Sequence, residues 1–235
     1  MVCSSSNSQK QTGFGFKDDR LIAIYNGVGE HFKKITDARE LAIIQEKYKL
    51  PDQFLFFLGN TDPKKNTRGV LKAFAGFNAM HRGRYKLVML DYDEIALQRL
   101  LKEIGAPELR NLIHLTGYVD NKDLPGIISQ CTVFLYPSLR ESFGIPILEG
   151  MACGVPVITS NTSSMPEVAG EDTALLVDPH KPEEITVAIE TLIEDQKLAA
   201  LISSNGILRA KSFSWKGMAE NVLDLYKEVY AELKH

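Results

Sequence analysis

From Pro51 onward, short apolar runs alternate with longer stretches in which apolar residues recur every three or four positions. The runs are FLFFL (54–58), KLVML (86–90), LIHL (112–115), TVFLY (132–136), VPVIT (155–159) and ALLV (174–177). Their length is that of a buried strand. Between them, Val70, Leu71, Phe74 and Phe77, and then Ile95, Leu97, Leu100, Leu101 and Ile104, fall on helical stripes. Near-continuous apolar strands separated by amphipathic helices predict a parallel sheet covered on both faces. The predicted fold class is therefore α/β, a doubly wound parallel sheet of Rossmann-like type, in which ligands bind at the carboxyl ends of the strands. The tail reads as helix. Ile185, Ala188, Ile189 and Leu192 form one stripe, and Met218, Val222, Leu225, Val229 and Leu233 form another.

The N-terminal part follows a different pattern. Residues 1–16 are polar with a single charge, Lys10, and cannot bury enough apolar surface to fold alone. A short apolar stretch at 21–25 leads into the turn signal Asn26-Gly27.

Composition narrows the class of protein. The 235 residues suffice for one or two domains. Twenty-seven basic against 30 acidic residues give a net charge of −3, which speaks against a nucleic-acid-coating surface. A hydrophobic share of 44% with 24% charged residues is that of a globular chain, not a disordered one. There is no run of about 18 apolar residues, and the N-terminus lacks the apolar core of a secretory signal, so a cytoplasmic location is expected. Cys3, Cys131 and Cys153 form no CxxC pair, hence neither a disulfide framework nor a zinc spacing. Cys131 and Cys153 are expected to be small buried residues.

The stretch that carries chemistry is 136–159, YPSLRESFGIPILEGMACGVPVIT, which reads as strand, loop, helix, strand. Pro146 suits the first turn of the helix and Gly154 its end. The amides of Phe143, Gly144 and Ile145 are then free at the helix N-terminus, where the dipole favours a phosphate. Glu141 precedes these amides and Glu149 lies about one turn inside. Carboxylates accept hydrogen bonds, and a pair of adjacent hydroxyls can supply two. A phosphate site flanked by two carboxylates suits a phosphate between two hydroxyl-bearing rings, the shape of a nucleotide sugar.

At this point the residues resemble a known family. Glu141 and Glu149 in ESFGIPILE, followed by GMACGVPVI, are similar to the signature of the family-four retaining glycosyltransferases (group 1) of the GT-B fold. Four further segments resemble that family in the same order: IYNGV (24–28) its interdomain linker, LGNTDPKKN (58–66) its first phosphate loop, LTGYVDNKDLPGII (115–128) the segment facing the base, and SMPEVAG with LLVDP (164–170, 175–179) the stretch after the Glu motif. The resemblance covers residues 21–230 and implies the C-terminal, donor-binding half of a GT-B fold. On that resemblance, residues 1–50 are an N-terminal remnant and interdomain linker, 51–210 the nucleotide-sugar-binding domain and 211–235 a C-terminal helix.

The resemblance also implies roles. Glu141 would contact the donor sugar's hydroxyls and Glu149 the ribose diol. Phe143, Gly144 and Ile145 would bind diphosphate and sugar through their amides, and Lys65 would neutralise the diphosphate. Glu141 and Lys65 would serve catalysis directly. Asn60, Tyr118 and Val119 would complete the nucleotide-sugar site. The family uses neither a metal nor a cofactor, so the leaving diphosphate depends on a cation and fixed N–H donors. The expected partners are a nucleoside-diphosphate sugar and an acceptor-binding N-terminal domain, with nucleic acid excluded and peripheral membrane association reserved for the complete enzyme.

Plainer readings stand beside these. Glu149 also fits a first-turn carboxylate favoured by the dipole, Glu141 a solvated loop charge, Lys65 a surface charge and Asn60 a turn cap. Tyr118 and Val119 fit packing positions, His114 a core residue and Trp215 a packing anchor for the last helix. The sequence departs from the family at Asn60, where Arg is usual and where Lys64 or Arg68 are candidate substitutes, and at Asp91, where Gly is usual. None of His31, His81, His114, His180 or His235 matches the His that the family places near the reacting sugar in its first domain. A non-catalytic nucleotide-sugar-binding subunit is the alternative function. A dinucleotide oxidoreductase is disfavoured, because GFG (13–15) and GVG (27–29) lack the third Gly and its context.

Overall fold

The computed structural model describes residues 21–234. Cys3, the GFG at 13–15, His235 and residues 1–20 of the proposed N-terminal remnant and linker lie outside the described residues.

The described residues form one six-stranded sheet in the order β3-β2-β1-β4-β5-β6. The strands are β1 Phe54–Phe57, β2 Lys86–Met89, β3 Ile113–Leu115, β4 Val133–Tyr136, β5 Val157–Ser160 and β6 Leu175–Val177. Every pairing is parallel. All six apolar runs of the sequence became strands, within a residue or two of the predicted bounds. The helices are α1 Ala38–Tyr48, α2 Thr67–His81, α3 Glu94–Glu103, α4 Leu124–Gln130, α5 Ile145–Ala152, α6 Met165–Ala169, α7 Pro182–Glu194, α8 Gln196–Ala210 and α9 Trp215–Glu232.

The pleat divides the strand residues between two cores. Phe54, Phe56, Phe134 and Tyr136 face a layer containing Ile44 of α1, Ile127 of α4, and Ile147 and Leu148 of α5. Leu55, Phe57, Val133 and Leu135 face Phe74 of α2, Leu97 of α3 and Ile189 of α7. Both faces are therefore closed to water, which is why the strands read as continuous apolar runs rather than as alternation. Fully burying one such side chain contributes about 1.5–3 kcal/mol.

The strand order has a mechanical consequence. From β1 the chain winds outward to β3, then returns to β4 and winds the other way. The loops leaving the neighbouring strands β1 and β4 therefore turn to opposite faces and leave a crevice between them. Buried polar side chains bridge that crevice. Asn66, 8% exposed and in the left-handed region at φ 60°, donates to the carbonyls of Pro137 (3.0 Å) and Pro179 (2.7 Å). It thus joins the loops after β1, β4 and β6. A Cβ on Gly69 would stand 2.4 Å from the Asn66 amide oxygen, so the glycine makes room for this bridge. Ser160 Oγ donates to the Ser138 carbonyl at 2.6 Å, tying β5 to the loop after β4.

The segment before α1 runs back across the domain. Val28 forms a bridge with Ser214, its N–H donating to the Phe213 carbonyl at 3.1 Å. Gly27 is needed there, since a Cβ would lie 2.1 Å from the Trp215 nitrogen.

Two packing expectations need correction. Trp215 is 46% exposed, and it is Phe213, 6% exposed, that anchors the start of α9. His114 is not a core residue. It sits half-buried on the edge strand β3, its Nε2 2.8 Å from the Tyr48 carbonyl. Cys131 and Cys153 are buried, as expected. Helix α9 buries none of its residues, so its apolar stripe is left without a full cover among the described residues.

The Asn66 bridge yields a stability prediction. Asn66→Ala leaves two buried carbonyls unpaired, at about 1–3 kcal/mol each. Urea unfolding should show a loss of roughly 2–6 kcal/mol, against less than about 0.5 kcal/mol for an exposed control such as Lys197→Ala. An Asn66→Ala protein as stable as wild type would mean that the loops are held otherwise.

Candidate functional site

The site is assembled from loops at the carboxyl ends of β1, β4 and β5. After β1, Asp62 caps a 3₁₀ turn, Pro63–Lys65, by accepting from the Lys64 N–H at 3.0 Å. The Leu139 N–H donates to the Lys64 carbonyl at 2.7 Å, which pins this turn to the loop after β4. The turn presents Lys65 to the crevice.

There Lys65 meets Glu141. Its Nζ lies 2.7 Å from Glu141 Oε1, and the two side chains are only 17% and 13% exposed. Tyr136, the last residue of β4, completes the cluster. Its hydroxyl accepts from Lys65 Nζ at 2.7 Å and donates to Glu141 Oε1 at 2.8 Å. The Lys65 ammonium also stands 4.8 Å from the centre of the Tyr136 ring, within reach of a cation–π attraction. The Tyr136 phenol is held neutral: burial pushes its pKa up, and the charges of Glu141 and Glu149 push it further.

The backbone around Glu141 is fixed from β5. Ser163 Oγ donates to the Glu141 carbonyl at 2.7 Å, and Ser164 Oγ lies 3.0 Å from that carbonyl and 2.9 Å from that of Phe143. This loop leads into α5, with Pro146 in the first turn and Gly154 after the end, as predicted. No side chain caps α5, and the amides of Phe143, Gly144 and Ile145 donate no hydrogen bond among the described residues. Three N–H groups thus stand at the positive end of a helix dipole in the loop that also carries Glu141, an arrangement that attracts anions.

Glu149 lies one turn into α5. Burial alone raises its carboxyl pKa from 4.5 to about 7. Among the described residues no cation or hydrogen-bond donor offsets that desolvation, whereas Glu141 has two partners. The two carboxylates therefore stand in different electrostatic environments.

An aromatic cluster adjoins these amides. The Phe143 ring lies 6.0 Å from Tyr25 and 5.9 Å from Phe213, and Tyr25 lies 5.8 Å from Phe213. Tyr25 donates to Glu167 Oε1 at 2.7 Å, and the Arg209 guanidinium caps Phe213 at 4.8 Å.

The remaining candidates divide. Asn60 sits in the same loop as Lys65, but its side chain caps the turn, accepting from the Asp62 N–H at 2.9 Å. Lys64 pairs with Asp62 at 3.1 Å and Arg68 with Glu103, both on exposed surface, so neither joins the Lys65 cluster. Tyr118 and Val119 lie beyond β3 at the same end of the sheet. Tyr118 is 77% exposed, and Val119 packs half-buried against the core. Asp91 takes φ 32°, a left-handed conformation that explains why glycine is usual there. Tyr136, Asn66, Ser163 and Ser164 are site residues that the sequence reasoning missed. Among the described residues, no three His, Cys, Asp or Glu side chains are grouped to hold a metal, and no helix is long and apolar enough to cross a membrane.

Residues 39–209 match the family described as glycosyl transferases group 1. The O-antigen chain mannosyltransferase B of Escherichia coli is 34% identical over 231 residues, covering 96% of this chain and 59% of that protein. This chain thus spans little more than half the length of that relative. Among solved structures, Anabaena Alr3699/HepE in complex with UDP-glucose superposes with a TM-score of 0.84 at 20% identity, covering 97% of this chain and 63% of that one. The C-terminal domain of a glycosyl transferase group 1 family protein (LpcC) from Francisella tularensis superposes with a TM-score of 0.67 at 22% identity, covering 79% of this chain and 97% of that one.

The Glu149 environment gives a pH prediction. Its folded pKa, about 7, lies above its unfolded value of 4.5. Between those values the folded chain binds more protons, so the stability contribution is full below 4.5 and is lost as pH rises through about 7. Glu149→Gln cannot titrate. Its urea midpoint, compared with that of wild type, should therefore move upward between pH 5 and pH 8. Parallel pH curves for the two proteins would show that Glu149 is not desolvated.

Proposed function

This chain belongs to the glycosyl transferases group 1 family, and on that premise we propose that it is the donor-binding half of a retaining, metal-independent glycosyltransferase. The carrying observation is the crevice between β1 and β4, where Lys65, the free α5 amides and two carboxylates of different character stand together. That set matches a nucleoside-diphosphate sugar part by part. The diphosphate takes Lys65 and the amides of Phe143, Gly144 and Ile145. Glu141 receives the sugar's hydroxyls. Glu149, whose carboxylate has no cation or donor among the described residues, receives the ribose diol. Asn60, Tyr118 and Val119 border the nucleotide.

In this reading the chemistry is the departure of the diphosphate from the anomeric carbon. Negative charge grows on the leaving oxygen, and preset N–H donors with an ammonium stabilise it without reorganising. Retention of configuration follows from the family resemblance. The resemblance to a mannosyltransferase at 34% identity favours mannose as the transferred sugar. The domain division into 1–50, 51–210 and 211–235 belongs to the same proposal, as does an acceptor-binding half beyond the part of the relatives that this chain spans.

Binding measurements test the roles. Glu149→Ala should weaken GDP-mannose and GDP alike, whereas Glu141→Ala should weaken GDP-mannose and leave GDP near its original affinity. A lost hydrogen bond to a charged group is worth about 1.5–3 kcal/mol, so each loss should be about tenfold or more. Titrations repeated with EDTA and with Mg²⁺ should coincide, and a metal requirement would sink the mechanism. If the chain prefers UDP-glucose and UDP, that pair replaces the GDP one.

A turnover assay tests the division of labour. Holding the acceptor oxygen against the anomeric carbon can contribute about 7–11 kcal/mol. The chain alone should therefore show little transfer, with slow donor hydrolysis as its residual activity. Transfer by this chain alone at the rate of a full-length group 1 enzyme would show that the domain is self-sufficient.

A further inference from the structure

Tyr136 touches both members of the central ion pair. Its hydroxyl takes a hydrogen bond from Lys65 and gives one to Glu141. The residues it joins are held differently. Lys65 ends a short 3₁₀ turn and Glu141 sits in a loop. Tyr136 is 2% exposed, stands in the central strand β4 and is paired in register with Thr159 of β5. Thr159 Oγ1 also donates to the Tyr136 carbonyl at 3.0 Å. Of the three, only the tyrosine is fixed to the sheet.

A diphosphate sugar places two demands on this pair. The diphosphate needs the ammonium, and the sugar's hydroxyls need the carboxylate. In the structure the two side chains pair with each other at 2.7 Å. As the ammonium turns to phosphate, Glu141 loses its charged partner, and a loop carboxylate with no partner would spread over several rotamers. The Tyr136 O–H remains on Oε1 and keeps one oxygen in place, leaving Oε2 for the sugar.

We propose that Tyr136 is a positioning residue for donor binding, whose hydroxyl holds the Glu141 carboxylate in place when Lys65 is drawn to the diphosphate. This rests on the nucleotide-sugar reading above. The tyrosine acts through Glu141 and Lys65 and need not touch the donor.

The test is a double-mutant cycle on the whole chain. Dissociation constants for GDP-mannose and GDP are measured for wild type, Tyr136→Phe, Glu141→Ala and the double variant, each first shown to be folded by its melting transition. Tyr136→Phe should weaken GDP-mannose about tenfold and GDP by less. In the Glu141→Ala background the same change should cost far less, because the group it positions is gone. An equal loss in both backgrounds would mean that Tyr136 acts independently and would overturn the proposal, as would unchanged affinity in Tyr136→Phe. If wild type binds neither GDP-mannose nor UDP-glucose, the functional reading fails and this proposal falls with it, an outcome distinct from a wild type that binds and a Tyr136→Phe variant that binds equally well.

Discussion

Two loops that leave neighbouring strands for opposite faces of the sheet are held to one another by an ammonium and a carboxylate 2.7 Å apart. The reversal of strand order between β1 and β4 opens the crevice, and the Lys65–Glu141 pair spans it. Taking two charges out of water costs several kcal/mol per ion, recovered only with good geometry and further hydrogen bonds. The surrounding structure supplies both. Tyr136 adds hydrogen bonds and a ring face, Ser163 and Ser164 fix the Glu141 backbone, and the Leu139 N–H holds the Lys65 turn. The fold provides an opening, and a small polar network sets its width.

The two carboxylates show how one motif yields two electrostatic environments. Glu141 is balanced by Lys65 and the phenol, whereas desolvation alone acts on the half-buried Glu149 and raises its pKa to about 7. Two carboxylates eight residues apart thus differ in how readily they hold a proton near neutral pH.

The sheet was legible in the sequence because its inner strands β1, β2, β4 and β5 are buried on both faces and so appeared as apolar blocks, while the half-exposed edge strands β3 and β6 gave shorter runs. The α5 amides were legible too, since Pro146 and Gly154 punctuate that helix locally. Lys65, Glu141 and Glu149 became candidates largely through the family pattern. Tyr136, Asn66, Ser163 and Ser164 stayed hidden because their partners are distant in sequence. Asn66 reaches across 71 and 113 residues, Tyr136 meets Lys65 across 71, and the serines reach back 21 to 23. Local patterns carry no information about such pairings. Trp215 and His114 erred in the opposite direction: Trp215 has Phe213 nearby and His114 lies in an apolar run, but they stand at a helix start and a sheet edge in space.

The aromatic cluster of Tyr25, Phe143 and Phe213 packs the segment before α1 and the segment before α9 onto one ring. That ring belongs to Phe143, two residues ahead of helix α5. The two flanking segments and the rim of the crevice therefore share one aromatic layer, and a change in any of the three rings alters the support of the other two.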